Sequence, residues 1–256
     1  MLMVEGLRLL NDYYEKIYVL SVRSADHRRN LFEERFKGLD YSFFFGADKN
    51  EFTTKELMEK NIYSEELTSK HHRYSKSMMP GEIACAWSHR MIYEDMLEKH
   101  YSRILIFEDD AIPNPELMKQ IPAILAEIPD DCEVLMWGWS KHGESGIASF
   151  LKQTSYQIQH KFGLLKWTPT MIKNLFAKPF SSKLKKAGFH DYTFAYGLTK
   201  NGAEKLVQMQ TPIQYIADNL VAYAITQNIV SGYIVYPAVM VHDNLPDGTP
   251  RDSYIR

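Results

Sequence analysis

Three consecutive carboxylates, Glu108, Asp109 and Asp110, follow directly on the apolar run Arg103–Phe107 (RILIF). Such a run reads as a buried strand, and ligands of open parallel sheets bind beyond the carboxyl ends of their strands. Carboxylates held there can grip a hard divalent cation through oxygen. Acting as a Lewis acid, Mn2+ or Mg2+ in that place would offset the charge of a diphosphate as its bond to a sugar breaks. In extended backbone, Glu108 and Asp110 point to one side and Asp109 to the other. The pattern predicts Glu108 and Asp110 as the working pair. Asp110 would touch the metal, and Glu108 would hold it indirectly or bond sugar hydroxyls. The plain alternative is a solvated acidic turn that caps the next helix.

A second group lies near the start of the chain. Residues 16–22 (KIYVLSV) read as a buried strand in which Ser21 is a candidate substrate-binding residue, and Ser24 suits the N-cap of the helix after it. Arg23, Arg28 and Arg29 surround that helix start, where guanidinium groups and free backbone N–H groups suit phosphate oxygens. A solvated face of an amphipathic helix would look the same. Ala47 and Asp48 close the second predicted strand, residues 41–47 (YSFFFGA). Asp48 is placed to bond a ribose or base, and it equally suits a turn.

These residues need a frame. The opening β-α-β pattern points to a parallel sheet. A helix is expected over Glu82–Lys99, with Ile83, Trp87 and Met91 on one stripe and Ser88 and His89 off it. The segment PNPELMKQIPAILAEI reads as helical after its prolines, and Glu133–Trp139 as a strand. Residues 192–198 and 232–241 read as strands, with two helices between them (KNGAEKLVQM and ADNLVAYAIT). The stretch LTSKHHRYSKSMMP reads as an exposed basic connection, and the last fifteen residues as a polar tail. Residues 140–190, rich in Lys, Gly, Ser and aromatics, show little periodicity and are expected to form an insertion or acceptor-side subregion of a single domain over 1–256. Trp137, Trp139 and Trp167 could stack on sugar faces, with the core the stronger reading for Trp137.

Composition sets outer limits. The 256 residues are 45% hydrophobic and 24% charged with a formal net charge of -2, which gives no global pull toward nucleic acid. Cys85 and Cys132 do not resemble a disulfide framework and read as reduced thiols. The opening MLMVEGLRLLNDYYEKIYVL is interrupted by charges, so it reads as neither signal peptide nor membrane span. The expectation is a soluble, cytoplasmic protein, compatible with peripheral contact at the inner membrane face if its acceptor is lipid-borne.

Taken together, the segments resemble glycosyltransferase family 25, whose members build lipooligosaccharide or galactosylate collagen. The resemblance rests on KIYVLSVRSADHRRNLF, GEIACAWSHRMIYEDML, ILIFEDDA, YTFAYGLTKNGAEKLV, ADNLVAYAIT and GYIVYPAVMVHD, in this order. It implies a GT-A type α/β fold, with a mostly parallel central sheet, a Rossmann-like nucleotide-binding half and flanking helices. It further implies a UDP-sugar donor, typically UDP-galactose, inversion at the anomeric carbon and a glycan or glycolipid acceptor in surface-glycan synthesis. Ser88 and His89 match the family's Ser-His pair and are expected to face the donor pocket; a solvated helix face is the alternative. Asp218 is the expected base that takes the acceptor's proton, although Asp at a helix start is also a common N-cap. Asp191 stands beside the expected acceptor. His242 would join Asp110 and Glu108 at the metal, at a position where the family commonly has glutamine. Tyr196-Gly197 reverses the family's Gly-Tyr order, so no role transfers to it. The competing reading is a non-catalytic nucleotide-sugar or glycan-binding protein on the same fold. A nucleotidyltransferase is disfavoured because no glycine-rich loop with a lysine follows the first strand.

Overall fold

A computed structural model describes residues 2–71, 76–140, 143 and 145–242. The chain opens with α1 (Leu2–Tyr13), then β1 (Lys16–Ser21), α2 (Asp26–Arg35) and β2 (Ser42–Phe45), with β1 and β2 parallel as the β-α-β reading requires. Ser24 does not cap α2; the helix starts one residue later than that reading needs, after Ala25, without a side-chain cap. Two short helices follow, α3 (Thr54–Glu59) and α4 (Glu65–His71). α3 opens on a capping box between Thr53 and Glu56. The long α5 (Pro80–Glu98) starts with a proline at its first position, where no N–H is needed.

β3 (Arg103–Glu108) enters the sheet beside β1 and carries the period-2 pattern that organises the core. Ile104 and Ile106 pack on one face with Ile92, Tyr93 and Met96 of α5. Leu105 and Phe107 pack on the other with Leu7 and Leu10 of α1 and Phe32 and Phe36 of α2. Each fully buried side chain of this size contributes roughly 1.5–3 kcal/mol. Both faces are covered, which is why the strand is apolar throughout.

Beyond the acidic residues come β4 (Ala111–Pro113), α6 (Pro115–Met118), α7 (Ile121–Ala126) and β5 (Val134–Met136). The segment 140–190, read as irregular, is instead structured. It holds the fifteen-residue α8 (Ile147–Lys161), α9 (Pro169–Lys173), β6 (Lys178–Pro179) and β7 (Leu184–Lys186). Gln, Ser and Thr along α8 hide its helical repeat, and β7 extends the main sheet by pairing with the later β9 (Gly232–Val235). β8 (Ala195–Thr199), α10 (Lys200–Met209) and α11 (Ala217–Thr226) precede β9, and β10 (Met240–His242) follows it. The run 232–241 is thus two strands, broken around Pro237, whose missing N–H cannot join a ladder. β10 leaves the main sheet and pairs with β4.

The eight-stranded order is β2-β1-β3-β8-β5-β9-β7-β6. β7 and β8 run against the other strands, so the sheet is mostly parallel. Among the described residues no helix is long and apolar enough to cross a membrane. Part of the expected basic connection (72–75) and most of the polar tail (243–256) lie outside the described residues.

Candidate active site

At the carboxyl edge of β1 and β3 the structure opens into a cavity of about 310 Å³. Ser21, Arg28, Ala47, Asp48, Ser88, Glu108, Asp109, Asp110, Asp218 and His242, all expected from the sequence, line it. Arg23 does not; it lies over the Phe45 ring at 4.8 Å and faces a neighbouring depression. Arg29 folds back onto the loop that follows β1, donating to the Val22 and Arg23 carbonyls, so it shapes the turn.

Alternation along β3 places only part of the acidic cluster. Glu108 continues the pleat toward α5, on the side of Ile104 and Ile106. Asp109 goes the other way, to Ser21 Oγ at 2.6 Å and to Arg28 on α2. The strand ends there and the chain turns at Asp109–Asp110. Asp110 therefore lies beyond the strand's alternation. It shares Arg28 with Asp109, at 2.6 Å, and lies 3.2 Å from His242 Nε2. Strand alternation cannot by itself pair Asp110 with Glu108, because period-2 geometry stops where the extended backbone stops; both carboxylates nevertheless line the same cavity.

Glu108 belongs to a separate buried network. A carboxylate only accepts, so the 3.3 Å contact with His89 requires the proton on Nε2. Nδ1 must then accept from Tyr196 Oη at 2.8 Å, which leaves Tyr93 to donate to Tyr196 at 2.7 Å. Thr193 Oγ1 also donates to Glu108, at 2.8 Å. His89 is almost fully enclosed, so it positions Glu108 instead of meeting a ligand itself. Ser88 faces the cavity wall, donating to the Ala84 carbonyl at 2.7 Å and accepting from Ala47 N at 2.9 Å. That approach works because residue 46 is glycine: a Cβ there would collide with Ser88 Oγ.

Electrostatics separate the carboxyls. Burial pushes Asp109 up to about 6 although Arg28 opposes it. Burial also acts on Asp110, but the His242 hydrogen bond and Arg28 outweigh it and hold the carboxyl low. Asp218 is raised to about 6 by burial and by nearby Asp191. It sits in the first turn of α11, but Ile216 is the N-cap, so the capping role does not explain it. Its carboxylate accepts from Asn219 N at 2.7 Å and Tyr192 N at 3.4 Å. Asp48 accepts from Asn50 N and Nδ2, both at 2.9 Å, a turn role that still leaves it on the cavity wall. Asp191 accepts from Ser140 Oγ.

Among residues the sequence reading missed, Tyr192 holds a left-handed backbone with φ 77°, strain of the kind stored at functional sites. Its ring stacks on His242 at 5.6 Å. Thr193, Tyr196 and Tyr93 were also missed; the first two had an aromatic-rich strand as their only signal, and Tyr93 lies inside a helix that nothing marked at that position. Trp137 is core, donating to Tyr14 Oη at 2.9 Å, while Trp139 stacks on Tyr236 and Trp167 on Phe189.

Two groups could hold a cation. Asp110 Oδ1 is buried without a hydrogen-bond partner, next to His242 and Asp109. An orphaned carboxylate oxygen beside an imidazole fits a divalent ion bound through O and N. In the second group, Cys85 Sγ, His89 Nε2 and a Glu108 oxygen lie within 4.8 Å of one another. The Cys85 thiol is pushed well up by burial and by the field of Glu108 and Asp218, so it stays protonated in this structure's surroundings.

A mostly parallel sheet, covered on both faces, opens at its carboxyl edge onto clustered carboxylates, the α/β architecture in which ligands bind beyond the strand ends. Comparison with known proteins narrows this. The model for glycosyltransferase family 25 (LPS biosynthesis protein) matches residues 14–221, and the chain belongs to that family. It is similar to an Aedes aegypti glycosyltransferase 25 family member, 24% identical over 195 residues, which are 75% of this chain and 28% of that protein. A Haemophilus influenzae protein is 27% identical over 219 residues, 84% of this chain and 66% of its own length. The chain thus spans well under half the length of the insect relative. Mouse xyloside xylosyltransferase 1 aligns over 91% of this chain and 72% of its own at 12% identity, with a TM-score of 0.32, too loose a likeness to carry an argument.

Proposed function

We propose that this chain is an inverting glycosyltransferase that moves a hexose, galactose from UDP-galactose by the family's habit, onto a saccharide acceptor of a surface glycan such as lipooligosaccharide. The observation that carries this is the charge of the cavity. Among the described residues that line it, Asp48, Glu108, Asp109, Asp110 and Asp218 face Arg28 and Lys49 as the only fixed cations. A diphosphate entering such a site unaided would be repelled. A bound divalent cation reconciles the two, and the orphaned Asp110 Oδ1 with His242 and Asp109 offers it a place.

When bound, Mn2+ or Mg2+ supplies charge neutralisation of the leaving diphosphate. The chain's own groups do the rest. Arg28 spans Asp109 and Asp110 and sets their spacing. Glu108, fixed by His89 and Thr193, presents its carboxylate to the donor's sugar hydroxyls. Asp218, with a pKa near 6, is ionised at neutral pH and basic enough to take the acceptor hydroxyl's proton. Ala47 and Asp48 stand where a nucleoside would lie.

The test is a screen of UDP- and GDP-sugars for Mn2+-dependent nucleotide release, with Asp110→Ala alongside and its folding checked by circular dichroism. Release by the wild type that the variant loses is the expected result. Full activity in folded Asp110→Ala removes the site assignment. Metal-dependent UDP binding without turnover of any sugar would favour a binding module on the same fold.

A further inference from the structure

Between residues 145 and 190 the chain carries eight lysines and no arginine, aspartate or glutamate, a formal +8 in a protein of net charge -2. Everything outside that segment therefore sums to -10. Charge is sorted within one fold. Apolar exposure is sorted the same way. Phe150, Leu151, Ile158, Phe162 and Leu164 are 73%, 68%, 52%, 76% and 76% exposed. With Phe180 they make up half of the large apolar side chains that the described residues expose.

The helix geometry gathers them. Phe150, Thr154, Ile158 and Phe162 follow one another at four-residue steps along α8 and its C-cap, with Leu151 beside them. The opposite side of α8 is anchored: Gln153 Nε2 donates to the Ile172 carbonyl at 2.5 Å, and the Tyr156 ring meets Trp167 at 5.3 Å. The apolar stripe is thus the face that no described residue covers, and three exposed lysines stand near it: Lys161 on the same helix, Lys152 over the Tyr156 ring at 5.9 Å, and Lys166, which donates to the Ser69 carbonyl at 3.4 Å.

From this sorting we propose that the outer face of α8 docks the protein on an anionic lipid bilayer. Aromatic and aliphatic side chains enter the headgroup boundary while lysines meet lipid phosphates, the pattern of an interfacial helix. Long lysine stems add apolar cover while their ammonium groups stay wet. A protein partner fits less well, because protein interfaces are depleted in lysine. The face connects to the site only through two further helices. α8 packs on α9, and α9 packs on α11, which carries Asp218. The docking itself does not depend on any transfer reaction.

The experiment is co-sedimentation of the full chain with vesicles of phosphatidylglycerol and phosphatidylcholine, and with phosphatidylcholine alone. Binding to the anionic vesicles only, weakened by salt, is expected. The pair Lys152→Gln and Lys161→Gln should weaken it roughly 25-fold, about fivefold for each lysine at an anionic surface. The pair Phe150→Ser and Phe162→Ser should abolish it with an unchanged melting temperature, since both rings already face solvent. Should that pair melt early, the lysine pair and the salt series decide alone. Absence of wild-type binding to anionic vesicles, or binding indifferent to both the lysine pair and salt, overturns the proposal. A wild-type dimer in solution that the phenylalanine pair dissociates overturns it too, because the face would then cover a second copy.

Discussion

Replacing Asp218 by Asn should make the protein more stable and much less active, and the size of the first effect can be worked from the site. Burial and Asp191 raise the folded-state pKa of Asp218 from 3.8 to about 6. A carboxyl whose pKa rises on folding binds its proton more tightly when folded. Its stabilising contribution is complete below about pH 4 and is lost as pH climbs through about 6. Two units correspond to about 3 kcal/mol, a ceiling on what the ionised group costs above pH 6. Asn carries no charge and keeps an oxygen for the Asn219 amide, but the Tyr192 amide bonds the other carboxylate oxygen and would meet the Asn NH2, which holds the gain below that ceiling. In a chain of this size the ceiling amounts to roughly 6–12 °C in melting temperature. The assay is thermal melting of wild type and Asp218→Asn from pH 4 to pH 8. The curves should coincide at pH 4 and separate through pH 6. In parallel, wild-type turnover should rise through about pH 6 as the base ionises, and the variant should lose turnover by orders of magnitude with UDP affinity nearly intact. Identical melting profiles would refute the buried, raised-pKa carboxyl. Unchanged turnover would remove Asp218 from the mechanism. A gain in stability paired with a loss of activity is the usual mark of a group kept for function.

Two further outcomes follow from the networks around the cavity. Arg28→Met leaves Asp109 and Asp110 buried without their shared cation and should cost about 3–5 kcal/mol. The loss should shrink at pH 5, where Asp109 takes up a proton, and equal urea midpoints of variant and wild type at pH 8 would contradict it. Tyr196→Phe deprives His89 Nδ1 of its donor and Tyr93 of its acceptor, for a loss of roughly 1–3 kcal/mol. An unchanged melting temperature would mean that the chain from Tyr93 to Glu108 is not formed in solution.

Much of this protein was legible from residue order alone. The apolar run before Glu108 announces a strand covered on both faces, the β-α-β opening announces parallel pairing, and helix α5 lies within two residues of where its pattern predicts it. These are local signals: side-chain periodicity and backbone preference act over a few residues and survive without knowledge of the rest. The membership of the family is legible for a related reason, since its motifs recur in a fixed order along the chain. What tertiary structure alone decided is which groups meet. His242 reaches Asp110 only because β10 leaves the main sheet to pair with β4, more than a hundred residues earlier. His89 turns inward because Tyr196, on an antiparallel strand that no local pattern marked as such, supplies its partner. Asp110 finds Arg28 and His242 as partners where the chain turns just after the strand ends, a place that strand alternation does not describe. Long-range pairings of this kind depend on how separately formed elements pack, and packing free energy is a property of the assembled fold rather than of any short stretch of sequence.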